Sequence, residues 1–346
     1  MKRIFLFFFV GIVAWPMVFG QQLSFSEKRL RDKAYNEGIT HILQGQYELG
    51  SASFTQCLDL DSTFAPAWLM QGRIYLEWGA MEDALNYLDL ALNYDPGLGE
   101  AYFYKGYLLY EGDTTGMDRG LFDQAISQGF RDAWVYYFRA ITEIRDGKNE
   151  VALNDLNTAI EINESFALAY HERAGLKRLN GDLQGSHFDY SRAVEFHPDF
   201  ALAYNNMGSV KILMGDYIGA IADYSKALDL DPGLFIALNN RGYARYYTED
   251  SDGALKDFNA AITNSDNFAH PRLNKASLLA GMGQLEEALN LLDGMMEKNP
   301  DDAFLFLNRG LIRELTGDPE GACADWATAL ELGAEAAIEY VKECDR

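Results

Sequence analysis

The sequence predicts an all-α protein, an α-solenoid of nine stacked helix pairs, and three observations predict it. A 34-residue period runs without insertion or deletion from Arg31 to about residue 336, two small positions twelve apart recur inside helical patterns, and glycine or proline falls at fixed places between them. A period of this length marks a repeat array rather than a single globular core. Composition permits one: 48% of the residues are apolar and 13% aromatic, too many for a disordered chain.

The chain opens MKRIFLFFFVGIVAWPMVFGQQ, in which Lys2 and Arg3 precede an apolar run from Ile4 to Phe19 and Gly20 stands before Gln21. Residues 1–20 therefore read as a secretory signal peptide, with an uncleaved membrane anchor as the other reading. No cysteine follows the cleavage point, so no lipid anchor is indicated. Cleavage would leave no membrane span and put the mature chain in the periplasm or cell envelope. Residues 21–30 form a lead-in.

The full chain carries 29 basic and 52 acidic residues, net −23; without Lys2 and Arg3 the balance is 27 against 52, net −25. Such a surface repels nucleic acid and anionic lipid, which argues against both as partners.

Nine blocks start at Arg31, Ala65, Gly99, Ala133, Ala167, Ala201, Phe235, Ala269 and Ala303. Position 8 is always small (Gly38, Gly72, Gly106, Ala140, Ala174, Gly208, Gly242, Ala276, Gly310), and position 20 is small everywhere except Asp118. Two small residues at this spacing let two antiparallel helices cross closely. Position 24 supplies bulk, from Phe54 to Trp326, and position 27 is Ala in seven blocks, as an interface alternating small with large requires. Glycine at position 15 in seven blocks ends each first helix in a left-handed residue. In GDP, Asp318 caps the next helix and Pro319 fits its first turn. Pro96, Pro198, Pro232 and Pro300 at position 32 close second helices. Repeat 3 departs from this: EGDTTGMDRGLF lacks the turn glycine, so its second helix is expected to start late and pack loosely, with a soft segment over 112–121.

Wherever position 7 is arginine (Arg139, Arg173, Arg241, Arg309), position 23 is aspartate (Asp155, Asp189, Asp257, Asp325). The pairing suggests a bridge between the two helices of a repeat, or a link to the neighbouring repeat.

This frame resembles the tetratricopeptide repeat family, whose pattern of an aromatic at 4, Gly at 8, Ala at 20, an aromatic at 24, Ala at 27 and Pro at 32 is nearly spelled out by Tyr204, Gly208, Ala220, Tyr224, Ala227 and Pro232. The resemblance covers about residues 31 to 336, leaving 337–346 for a capping helix. It implies a right-handed superhelical α-solenoid with an inner wall built from positions 2, 5, 6, 9, 12 and 13 of the first helices. It does not name a function.

No catalytic constellation is visible. The five histidines form no HExxH, since His171-Glu172 lacks the second histidine, and no phosphate loop, GxSxG or CxxC occurs. The chain is read as no enzyme, with no metal and no cofactor. Cys323 and Cys344 are far enough along one end to pair in an oxidising compartment, but unpaired buried thiols are the expected state.

Partner-binding candidates come from the inner positions. Tyr107, Tyr110, Trp134 and Tyr137, with Phe103, gather in repeats 3 and 4, and Tyr243, Tyr246 and Tyr247 in repeat 7; aromatic rings with polar tips suit a partner surface. Asn206, Asn240, Asn274 and Asn308 hold position 6 in four successive repeats, with Asn205 and Asn239 beside two of them and Asn36 in the first. A row of carboxamides can pair with the backbone of an extended chain without reading its sequence; resemblance to the peptide-binding array of O-linked N-acetylglucosamine transferase implies such a ladder. The other reading is that these asparagines bond only within the solenoid. The carboxylate clamp of other members is not matched, because Asn205 is followed by Ser209 and Asn239 by Tyr243 where lysine and asparagine are needed. The expectation is an interaction scaffold holding a protein or extended peptide, the alternatives being a regulatory subunit of an envelope enzyme or transport complex, or an architectural spacer.

Overall fold

The computed structural model describes residues 23–112, 118–264 and 269–344. The predicted signal peptide and residues 113–117 of the predicted soft segment lie outside the described residues. The chain divides into two compact units, Met1–Arg131 and Asp132–Arg346. In unit 1 the described residues form α1 (Phe25–Leu43), α2 (Tyr47–Leu60), α3 (Ala65–Glu77), α4 (Met81–Tyr94), α5 (Gly99–Glu111) and α6 (Asp118–Ser127). Unit 2 begins with α7 (Ala133–Arg145), α8 (Asn149–Ile162), α9 (Ala167–Leu179), α10 (Leu183–Phe196), α11 (Ala201–Leu213) and α12 (Tyr217–Leu230). It continues through α13 (Phe235–Tyr247), α14 (Ser251–Asn264), α15 (His270–Gly281), α16 (Leu285–Met296), α17 (Ala303–Thr316) and α18 (Pro319–Glu331), then a 3-10 turn and α19 (Ile338–Cys344). Within each unit successive helices pack on one another, giving an all-α solenoid of paired helices. No helix among the described residues is long and apolar enough to cross a membrane.

Local chemistry accounts for the turns. Gly215 donates to Ile212 O at 3.0 Å and Asp216 to Lys211 O at 2.9 Å, the paired bonds that close a helix through a left-handed residue. All seven position-15 glycines have φ between 72° and 80°. Repeat 7 makes the same turn with Glu249 at φ 65°, which is strained for a residue with a Cβ. The next helices are capped by Asp182, Asp216, Asp250 and Asp318, each accepting the N–H three residues on at 2.9 Å.

Close packing is set inside each pair. Every position-24 side chain, from Phe54 to Trp326, is buried, and so are the small residues at position 27. A Cβ at Gly242 would lie 2.7 Å from the Phe258 ring, and one at Gly38 2.6 Å from Phe54. The glycine thus makes room chiefly for the ring of its partner helix, while the position-20 residue meets the backbone: a Cβ at Gly72 would be 3.3 Å from Ala84 O.

The arginine at position 7 ties three helices. Arg241 grips Asp257 with two bonds of 2.9 and 2.8 Å within its repeat and sends a third, 3.1 Å, to Ser225 on the preceding second helix. Arg173 does the same with Asp189 and Asn157, and Arg309 with Asp325 and Asp293. Arg139 grips Asp155 in the same bidentate way. The position-7 to position-23 pairing is therefore made within each repeat, and the link to the preceding repeat runs to Asn157, Ser225 and Asp293 at position 25 instead. Lys105, whose repeat has leucine at position 23, pairs with Asp89 of the preceding repeat.

Helix α6 starts at Asp118 and has 10 residues, whereas α4 and α8 have 14, as the glycine-rich sequence before it dictates. Its Phe122 and Ala125 are fully buried. At the other end the cysteines are not free. Cys323 and Cys344 form a disulfide with Cα atoms 5.8 Å apart, because α19 folds back along α18 and stacks Tyr340 on Trp326 at 5.0 Å. Cys57 stays unpaired and buried, and burial pushes its thiol up to about 11.

Two results are expected from denaturation. Glu249→Gly should raise stability by about 1 kcal/mol by relieving the left-handed strain, whereas Gly242→Ala should lower it by about 1–3 kcal/mol through overpacking against Phe258. A double-mutant cycle on Arg241 and Asp257 should return a coupling of about 1–3 kcal/mol; a value near zero would show that the buried pair ties nothing.

Candidate functional site

The candidate site is built on the first helices of unit 2, where α9 touches α11, α11 touches α13, α13 touches α15 and α15 touches α17. Side-by-side packing brings position 6 of one repeat against position 5 of the repeat before, 35 residues back in sequence. The asparagines meet through this relation. Asn274 Nδ2 donates to Asn239 Oδ1 at 2.9 Å, Asn239 Nδ2 to its neighbour Asn240 Oδ1 at 3.3 Å, and Asn240 Nδ2 to Asn205 Oδ1 at 3.2 Å. Asn205 Nδ2 then donates to Asn206 Oδ1 at 3.1 Å, and Asn206 Nδ2 to His171 Nε2 at 3.0 Å. Five carboxamides from three helices thus form one unbroken row that ends on an imidazole, whose Nδ1 lies 3.0 Å from Glu172 Oε1.

Both ends have a sequence cause. Position 5 of repeat 8 is Leu273, so Asn308 finds no carboxamide to reach and donates instead to Phe304 O in its own helix at 2.7 Å. Position 5 of repeat 5 is His171, which continues the row by one acceptor. The structure therefore joins Asn206, Asn240 and Asn274 but leaves Asn308 out. It also corrects the expected role of Asn205 and Asn239: at 4% and 7% exposure they hold the row from below, because position 5 faces the adjacent helix rather than open solvent. Asn36, in unit 1, is exposed. The sequence marked His171 only as half of an incomplete metal motif; the 35-residue step was the signal that would have found it.

A depression of about 300 Å³ brings Asn239, Asn240 and Asn274 together with Ser209, Tyr224 and Tyr243. The Tyr224 hydroxyl lies 3.1 Å from Ser209 Oγ, and burial pushes its phenol up to about 12. On its rim Tyr243 donates to the Tyr247 hydroxyl at 3.2 Å, a bond that with partial burial pushes Tyr243 up to about 12. Tyr217, not foreseen from the sequence, stacks flat on Tyr247 at 4.8 Å, and Tyr246 meets Tyr247 edge-on at 5.4 Å. Tyr243, Tyr246 and Tyr247 are all exposed.

The other aromatic candidates are placed elsewhere. Trp134 is exposed on α7 and packs edge-on against Phe166 at 4.7 Å, with Tyr137 half-buried beside it. Tyr107 and Tyr110 are half-buried on α5 of unit 1; burial, with Glu111 and Glu77 nearby, raises the Tyr107 phenol. Phe103 is a core residue rather than a surface one, packed 5.5 Å from Phe130. Among the described residues no group of three or more His, Cys, Asp or Glu side chains is placed to hold a metal ion.

Next to the row lies an exception to the acid–base pairs. In repeat 6 position 7 is Met207, so Asp223 lacks the arginine fork and is met by Lys211 Nζ at 2.7 Å, and burial holds its carboxyl above the usual range despite that ammonium.

Tetratricopeptide repeat patterns match residues 65–98 and 201–234, so the chain carries repeats of this class, and its paired helices form a solenoid of that type. A tetratricopeptide repeat protein from Parabacteroides merdae is 18% identical and similar in fold over 82% of this chain and 99% of its own, with a TM-score of 0.50. The APC/C hetero-tetramer Cut9–Hcn1 is 14% identical over 93% of this chain and 67% of that one, with a TM-score of 0.57. YrrB, a TPR protein with an unusual peptide-binding site, is 22% identical over 54% of this chain and 95% of its own, with a TM-score of 0.48. These similarities concern the fold alone. No curated protein matches the chain.

Asp223 yields a signed pH dependence. Its folded pKa is raised, so the contribution it makes to stability is largest when the carboxyl is protonated and falls as pH rises from the unfolded value, about 4, through the folded one. Asp223→Asn should flatten stability over that window and, at neutral pH, cost less than Asp257→Asn, which should lose about 3 kcal/mol by breaking the pairing of two half-buried arginines with one buried carboxylate. Urea melts from acid to neutral pH check both.

Proposed function

We propose that this chain is a non-catalytic interaction scaffold that holds an extended segment of a partner protein along the first helices α9 to α17, outside the cytoplasm. The row of carboxamides carries this reading. A carboxamide has two N–H groups and two lone pairs; the row occupies one of each on Asn240, and the second pair is what a peptide backbone requires. Beside it the exposed rings of Tyr243, Tyr246 and Tyr247 offer apolar area with polar tips. Exposed apolar side chains recur at both ends of the same helices, Leu202, Ile236 and Phe304 at position 2 and Leu179, Leu213 and Leu315 at position 13, which favours a partner with apolar side chains on either side of its backbone. The Cys323–Cys344 disulfide and the signal-like N-terminus both favour an oxidising compartment such as the periplasm.

The test is crosslinking mass spectrometry on cells expressing the full chain, with a Tyr246→Ser/Tyr247→Ser variant alongside. Those rings are exposed, so the fold should survive their loss. One dominant partner whose crosslinks map to the first helices of repeats 5 to 9 and fall several-fold in the variant is the expected result. Crosslinks confined to the second helices, indifferent to the variant, would make the array a docking spacer instead.

A further inference from the structure

The carboxamide row has a direction, and we infer that His171 sets it, so that protonation of one imidazole decides which way five asparagine side chains face. Every bond runs from N–H to acceptor in the same sense, from Asn274 through Asn239, Asn240, Asn205 and Asn206 to His171 Nε2. The last step needs a lone pair on Nε2, which places the proton of the neutral ring on Nδ1, where Glu172 Oε1 accepts it.

A second proton on the ring makes Nε2 a donor. It then faces the Asn206 amino group, donor against donor, and the contact is restored when Asn206 turns over and accepts through Oδ1. That turn presents the Asn206 amino group to Asn205, which must turn in response, and the same exchange passes to Asn240, Asn239 and Asn274. Both directions keep the same five contacts along the row, and the Tyr190 hydroxyl, which also meets Asn206, can donate as well as accept. Asn308, bonded to its own helix, stands outside the chain of exchanges.

Few other groups bias the imidazole. Glu172, on α9, is its ion partner; Tyr190 of α10 faces it ring to ring at 5.4 Å, with Arg178 of α9 acting on that phenol. Among the described residues, α11 and the turn before it bring the neutral Asn206 and Phe200 against it, the latter at 4.8 Å. The effect on binding rests on the proposed peptide groove: reversal would exchange donor and acceptor edges along Asn206, Asn240 and Asn274, and a backbone matched to one direction would meet the wrong groups in the other.

The experiment needs no ligand, so its outcome is independent of whether the groove holds a peptide. The full chain is labelled with [15N]asparagine and the side-chain amide resonances are followed from about pH 8 to about pH 5, the range in which histidine changes charge. The five carboxamides of the row should shift together with one midpoint while Asn308 stays still, and His171→Phe should abolish the response. Asn240→Ala, which cuts the row, should leave Asn205 and Asn206 responsive and silence Asn239 and Asn274. A wild-type shift confined to Asn206, no shift at all, or a response that survives His171→Phe would overturn the inference. Circular dichroism verifies that the variants keep their helix; should His171→Phe unfold, the collective midpoint and the Asn240→Ala cut decide the matter.

Discussion

Six of the nine repeats are fitted around a side chain that is not there, the glycine at position 8, and the other three carry alanine. The clearance at position 8, one hydrogen where other residues carry a carbon, lets the ring at position 24 seat against the backbone of the first helix, as Phe258 does against Gly242. That seat fixes how close two helices of a pair stand, and the buried small residues at position 27 fix how close the next pair comes. Only at that spacing do successive first helices lie side by side, and only then does position 6 of one reach position 5 of the other. The surface chemistry of unit 2 is thus a consequence of packing two layers below it.

The interior charges serve the same register. An Asp buried as deeply as Asp189 or Asp257 is costly unless its oxygens are engaged, and each is met by the fork of a position-7 arginine and a second cation one turn on, Lys177 or Arg245. Because the guanidinium also reaches the preceding second helix, a slipped or rotated repeat would strand a buried charge. Apolar contacts alone would tolerate such a slip more readily, since they are not directional.

Much of this could be read in the chain itself. Helix pairs, left-handed turn glycines and buried position-24 rings all follow from residues at fixed places in a 34-residue frame, and the arginine–aspartate pairs announced themselves by occurring together in four repeats. The row was legible only in part. Its asparagines stood out, but the partners are 35 residues apart rather than 34, a step that depends on how neighbouring helices are offset and not on the repeat itself. Hence nothing in the repeat frame shows that Asn205 and Asn239 are buried or that His171 ends the row. The burial of Phe103 is hidden for a similar reason, since its inner position is covered by Phe130 in the following turn. The disulfide depended on the direction of α19, which no spacing of cysteines in sequence specifies.

That disulfide also decides how unit 2 bears a load. A pull on the residues beyond Cys344 is carried across the sulfur bridge to Cys323, near the start of α18, and bypasses the segment between them, since the two cysteines are 21 positions apart in sequence. Most of α18 and all of α19 sit in a slack loop, shielded from tension, with Trp326 still covered by Tyr340. A stacked array of this kind ordinarily peels from its last repeat inward; here the last repeat is anchored near the foot of its second helix, and the end of the stack that looks weakest is the one that tension reaches least.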